Sequence, residues 1–144
     1  MPGGEKPVPG KLGRQELLRL VDAGEVETVI AAIPDLYGRL LGKRFVARFF
    51  LEAVDPHGFH ACDYLLACDV EMEPVPGYRF TGWETGYGDF RCIPDEQTLR
   101  RAAWLDKTAI VLCDVVGAPT PLGAYAPCGG SMMIWSKNRP PLVI

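Results

Sequence analysis

His57 and His60 flank Gly58 and Phe59 and are followed at once by Cys62 and Asp63, donors of the kind that hold zinc or activate a thiol. The spacing argues against both. A metal site wants three or four ligands with a second pair at a recognised distance, and none follows; Cys62 has no residue placed to orient a histidine toward it. The histidines read as ordinary turn and helix-end residues, and no metal site is expected. A second grouping lies in the glycine-rich loop 77–89, where Trp83 offers a stacking surface and Glu84 and Asp89 offer carboxylates. Trp83 can stack on a ligand, Glu84 can pair with a cationic amine and Asp89 can orient the loop; the competing reading makes the tryptophan a packing anchor and the acids solvated turn residues. Gly38-Arg-Leu-Leu-Gly-Lys43 superficially suggests a phosphate-binding loop. Its glycines are one residue too close, Arg44 stands where a hydroxyl is required, and no helix follows directly. Glu71 and Glu73 read as the solvated face of an extended segment. Lys43-Arg44 and Arg100-Arg101 can pair with a neighbouring subunit, solvated charge being the commoner outcome for such residues.

Elements able to position these groups are legible in the pattern. Residues 29–44 read as an apolar strand, a tight turn and a second strand ending in a basic pair. Asp35 can bond its own backbone two residues on, and Gly38 can take the positive φ that other residues avoid. Ahead of this hairpin, 15–23 places Leu17, Leu18 and Val21 on one side at helical spacing, with Gly24 to end the helix. Residues 47–54 read as a second short helix stopped by Asp55-Pro-His-Gly58, and 62–68 as a third. The run 108–116 is β-branched and almost wholly apolar, which predicts a central strand buried on both faces. Strands and helices in this mixed order, without a strand-helix rhythm, predict an α+β fold with a mixed sheet and short helices packed on one face.

The 144 residues suit one domain with a self-sufficient core, and a net charge of −3 offers no basic field for nucleic acid. No apolar run approaches the roughly 20 residues of a membrane-spanning helix. The first residues lack the basic-then-apolar layout of a signal peptide, so a cytoplasmic location without a membrane partner is expected. Cys62, Cys68, Cys92, Cys113 and Cys128 contain no Cys-x-x-Cys pair and are expected to be reduced, partly buried thiols. Residues 1–13, rich in proline and glycine, read as a flexible leader. The domain is expected to span 14–118, and 119–144 to form an irregular tail.

The wording of the hairpin, Asp35-Leu-Tyr-Gly-Arg-Leu-Leu-Gly-Lys-Arg44, resembles the Asp-x-x-Gly-x-x-x-Gly-Lys hairpin that opens the N-terminal β-grasp domain of the glutamine synthetase superfamily. The resemblance continues in order through Ala61-Cys-Asp-Tyr64, Trp83-Glu-Thr-Gly-Tyr-Gly-Asp-Phe-Arg-Cys-Ile-Pro-Asp95, Thr98-Leu-Arg-Arg-Ala-Ala-Trp104 and Thr108-Ala-Ile-Val-Leu-Cys-Asp-Val-Val116. It covers roughly residues 24–127 and leans toward the γ-glutamyl-polyamine synthetase branch. It implies a β-grasp-like sheet and an ATP-dependent glutamate-amine or glutamate-ammonia ligase involved in glutamine biosynthesis and nitrogen metabolism. ATP and Mg2+ are implied for the full-length family, bound outside this chain. The family also implies a homo-oligomer, in which the loop 77–89 would cover the active site of a neighbouring subunit. Trp83, Glu84 and Asp89 would then make contacts in trans, with no catalytic residue supplied by this chain alone. Better-known members carry Phe-Asp-Gly-Ser-Ser in that loop, whose aspartate binds and deprotonates ammonium. Here Phe80-Thr81-Gly82 stands instead, and a threonine cannot serve as that base, which favours a different amine. The resemblance stops before Cys128, so 128–144 reads as the end of a truncated or frameshifted gene product, inactive alone, with a divergent short protein and a boundary artefact as the other two readings. A free-standing β-grasp module that docks onto a full-length relative is the alternative.

Overall fold

The computed structural model describes residues 10–35, 37–79 and 81–116. Its longest strand is the one the sequence marks most clearly, β6 (Thr108–Val116). Buried residues on both faces, Ala109 and Val111 on one and Ile110 on the other, place it mid-sheet. β1 (Thr28–Pro34) runs parallel to it, with Thr28 opposite Thr108 and Ala32 opposite Leu112. Two short antiparallel strands share its other side: β5 (Arg100–Arg101) covers the first part and β4 (Asp89–Pro94) the second. The changeover falls at Leu112. Its N–H donates to the Thr98 hydroxyl at 2.8 Å and its carbonyl accepts from the Asp95 N–H at 2.8 Å, so the ladder is completed without a strand. β3 (Phe59–Cys62) pairs with β4, and β2 (Leu40–Val46) with β1, both antiparallel, giving the order β2-β1-β6-β4-β3. The result is the α+β class with a mixed sheet that the sequence pattern predicts.

The helices pack on one face of that sheet. α1 (Arg14–Asp22) precedes the hairpin; α2 (Ala47–Phe49), a π-helical run (Phe50–Val54) and α3 (Asp55–His57) follow it without interruption. Leu17, Leu20, Phe50, Leu51 and Val54 join Val29, Ala31, Ile33, Val111, Phe90 and Cys92 in one apolar cluster. Each buried leucine or phenylalanine contributes about 1.5–3 kcal/mol relative to exposure.

Several boundaries differ from the sequence expectation. α1 buries Leu17 and Leu20, while Leu18 is exposed and Val21 half-buried; residues three apart on a helix lie nearly in line, whereas adjacent ones diverge. The second helical stretch runs on to His57, three residues beyond the expected stop. The helix expected at 62–68 is instead the end of β3 followed by a single 3-10 turn, Asp63–Leu66, because the Asp63 backbone pairs with Gly88 and Ala67 accepts a bond from Val75. Of the expected leader, 10–13 is tied down: the Leu12 N–H donates to the Leu99 carbonyl at 2.9 Å, and Leu12 is buried. The rest of the leader, the tail 119–144 and Cys128 lie outside the described residues. Cys62, Cys68, Cys92 and Cys113 are free thiols. Burial pushes the Cys92 thiol up to about 12 and raises Cys113 as well, so both stay protonated near neutrality.

The hairpin turn is held by Asp35. One carboxylate oxygen accepts from the Tyr37 N–H at 2.9 Å and the Arg39 N–H at 2.7 Å, the other from Arg39 Nε at 2.6 Å. Gly38 adopts a φ of 78° at the tip. The rest of the Arg39 guanidinium reaches across to the carbonyls of Asp69, at 2.8 Å, and Val70, fastening the hairpin to the turn at 69–73. Gly42 has a different reason to be glycine. A Cβ there would stand 2.1 Å from the Ala31 carbonyl oxygen and 2.7 Å from the Ala32 Cα, backbone atoms of the adjoining strand.

Gly42→Ala is therefore expected to destabilise the fold by about 1–3 kcal/mol through overpacking, read as a lowered urea midpoint; an unchanged midpoint would contradict the close approach. A second expectation concerns acid. Burial alone would raise the Asp35 pKa, but the Arg39 guanidinium and the Arg39 and Tyr37 N–H groups outweigh it and hold the carboxyl below its ordinary 3.8. Its contribution to stability is thus complete above about pH 4 and is lost as the pH falls through the lowered native value. Asp35→Asn should remove this part of the acid-induced loss, seen as a shallower decline of unfolding free energy on acidification.

Candidate functional site

The loop that carries the candidate contact residues hangs on a carboxylate with no exposed surface. Asp63 is 0% exposed, at the point where β3 gives way to the 3-10 turn. One of its carboxylate oxygens accepts from the Thr81 hydroxyl at 2.6 Å and the other from the Gly88 N–H at 3.0 Å, while its own N–H donates to the Gly88 carbonyl at 2.9 Å. Both ends of the segment 81–88 are thereby clamped to one residue. Between the clamps the chain doubles back through a Gly82–Gly86 bridge. Tyr87 sits edge-on between Tyr64, with ring centroids 6.2 Å apart, and Trp83, at 5.5 Å.

Clamping turns two side chains outward. Trp83 is 89% exposed, touching Tyr87 along one edge and leaving its indole open, and Glu84 beside it is exposed. Asp89 begins β4 opposite Cys62 and is exposed; its side chain makes no hydrogen bond with the described residues, and the residue that orients the loop is Asp63. Thr81, at the position where a carboxylate base was considered, is 3% exposed and spends its hydroxyl on Asp63. It faces inward and cannot take a proton from a ligand outside.

The His57, His60, Cys62 and Asp63 grouping is not brought together. His60 and Cys62 alternate with buried Phe59 and Ala61 along β3, His57 is exposed at the end of α3, and the Asp63 carboxylate turns inside. Among the described residues no three His, Cys, Asp or Glu side chains gather in a way that would hold a metal ion. Around Gly38–Lys43 the N–H groups of Tyr37 and Arg39 are already spent on Asp35, so the turn does not fit a phosphate. Lys43 donates to the His60 carbonyl at 2.7 Å, and Arg101 pairs with Glu25 at 2.8 Å. No helix among the described residues is long and apolar enough to cross a membrane.

No family model matches the chain. Over 104 residues, 72% of this chain, it is 51% identical to the γ-glutamylethanolamide synthetase GlnA4 of Streptomyces coelicolor. Over 105 residues, 71% of this chain, it is 35% identical to a glutamate–isopropylamine ligase of a Pseudomonas species. The chain belongs to the glutamine synthetase family. It corresponds to a small N-terminal part of these ligases, spanning 22% and 23% of their lengths. Among solved structures, a GmaS/ADP complex and an apo GmaS without ligand give TM-scores of 0.48 and 0.42 at 19% and 23% identity. These matches cover 69% and 67% of this chain and 20% of each of those chains.

The Asp63–Thr81–Gly88 clamp was not visible in the sequence, because its partners lie 18 and 25 positions from Asp63. Thr81→Val keeps the side-chain shape but leaves a buried carboxylate oxygen unpaired. It is expected to cost about 1–3 kcal/mol and to change Trp83 emission in a chain whose Trp104 and Trp135 are replaced by phenylalanine. Unchanged stability and emission would show that the clamp does not hold the loop.

Proposed function

We propose that this chain acts as the N-terminal segment of a glutamine-synthetase-type ligase that joins an organic amine to glutamate. In this reading the loop 81–88 closes over the active site of a neighbouring subunit in an oligomer. The observation that carries it is the clamp: a glycine-rich loop pinned at both ends by a buried carboxylate, presenting an open indole and an exposed carboxylate side by side. Trp83 would lie against the alkyl part of the amine, and Glu84 would pair with its ammonium group. Thr81 faces inward, so the loop offers no carboxylate at the position that serves ammonium in better-known members, which suits an organic amine. Two relatives, one named for a γ-glutamylethanolamide product and one for an isopropylamine substrate, support the same substrate class. The mixed sheet, with β1 and β6 parallel at its centre, suits a β-grasp.

ATP and Mg2+ would supply activation of the glutamate carboxylate. The described residues do not fit either group, and both would be held by the remainder of a full-length ligase. The purified chain is accordingly expected to form no amide from glutamate, ATP and a panel of amines.

The decisive test replaces the matching N-terminal segment of the Streptomyces coelicolor enzyme with residues 11–116 of this chain. In that chimera, Trp83→Ala and Glu84→Gln should each raise the amine KM about tenfold, the equivalent of roughly 1.4 kcal/mol, with smaller effects on kcat. Amide formation by the chain alone, or chimeras indifferent to both substitutions, would overturn the proposal. The alternative, a free-standing module that docks on a full-length relative, predicts association without any effect on amine KM.

A further inference from the structure

The helices occupy one face of the sheet; the other carries a patterned surface that the amine-ligase reading does not use. Cross-strand register aligns Arg44 on β2, Ile30 on β1, Ile110 on β6 and Arg100 on β5 in a single row. Gly42, Ala32 and Leu112 form the next row. Ala32 and Ile110 are buried yet stand outside the helix-packed cluster, while Leu40, Val46 and Leu112 are exposed. Leu40 and Val46 stand at the two ends of β2 and Leu112 two strands away, with the two central rows between them; apolar residues spread over one sheet face in this way suit a long, narrow partner. The two arginines complete the pattern. Among the described residues neither has a carboxylate partner: Arg44 makes no side-chain bond, and Arg100 donates only to the Thr98 carbonyl at 3.2 Å. Of the carboxylates on this face, Asp89 begins β4, and Asp114 stands on β6 two residues past Leu112, opposite Ile93.

Three strand spacings separate Arg44 from Arg100, about 14 Å at the usual inter-strand distance. An α-helix with its side chains is about 10 Å across. A helix lying along the strands would therefore rest its apolar stripe on half-buried Ile30 and exposed Leu112, with buried Ile110 between them as a floor, and bring its flanks under the two guanidinium groups. We propose that this face seats an amphipathic helix with carboxylates on both flanks of its apolar stripe, contributed by the part of a glutamine-synthetase-type ligase that this chain does not span. Charge selects this occupant over the two nearest alternatives. A second copy of the same face would set arginine against arginine. The segment 117–144 contains Lys137 and Arg139 and no acidic residue. Bidentate guanidinium–carboxylate pairs at the rim would fix the register of the helix on the sheet.

This inference rests on the ligase-segment reading, and its test separates the two. Tagged chain is co-expressed with the full-length Streptomyces coelicolor γ-glutamylethanolamide synthetase, and the co-purified enzyme is quantified after far-UV circular dichroism confirms that each variant is folded. Co-assembly is expected, reduced at least tenfold by Arg44→Glu with Arg100→Glu, weakened by salt, and unaffected by Arg48→Glu on the helix side. A chain ending at residue 116 should co-assemble as well as the full chain. Co-assembly that survives the double reversal would overturn the docking face while leaving the ligase-segment reading intact; absence of co-assembly would overturn the face, and an inactive chimera beside it would overturn both. Loss of co-assembly on removing 117–144, or a dimer of the chain alone that the double reversal dissolves, would also overturn the proposal by assigning the face to another occupant.

Discussion

A nine-residue strand whose first four residues are buried on both faces must have partners along both edges, and β6 imposes that demand on the whole molecule. One edge is satisfied by β1 in parallel. The other is shared by two strands too short to cover it, with Asp95 and Thr98 filling the space at Leu112. A parallel neighbour requires a long crossover, so the segments between β1 and β6 must travel around the sheet before returning. They supply the hairpin, the helical run from Ala47 to His57 and the loop between β3 and β4. The loop with the exposed tryptophan follows from this geometry, because the chain leaves β3 at Asp63 and must re-enter the sheet at Asp89.

Asp63 converts that detour into a defined surface. A carboxylate removed from water is tolerated only when its oxygens are matched with donors; here the donors come from the two ends of one loop, and the matching fixes the loop. Thr81 is drawn inside by the same bond. One structural necessity, satisfying a buried acid, thus accounts both for the missing solvent-facing base and for the outward display of Trp83 and Glu84.

What the sequence disclosed and what it withheld divide along physical lines. The hairpin was legible because its determinants are local: Asp35 bonds residues two and four ahead, and Gly38 sits at the tip. β6 was legible because unbroken β-branched apolar residues have few other uses. The inner face of α1 differs from the expectation because Leu17, Leu18, Leu20 and Val21 offer more than one apolar stripe at helical spacing, and packing against the sheet selects the one through Leu17 and Leu20. The 62–68 segment was misread as a helix because its fate is set by Gly88 and Val75, distant in the chain. Asp63 itself read as one of several donors near His57; only the fold shows that strand alternation points it inward while His60 points out. The binding surface around Arg44 and Arg100 depends on register across four strands, which no single segment encodes.

The central claim is that the clamped loop becomes part of an amine site once this segment is joined to the rest of a ligase. Amide hydrogen exchange of residues 81–88 tests it most directly, followed in the assembled chimera with and without glutamate, ATP and ethanolamine. The account predicts that substrates slow exchange around Trp83 and Glu84 in the assembly and leave it unchanged in the isolated chain. Exchange there that ignores substrates in an active assembly would contradict it.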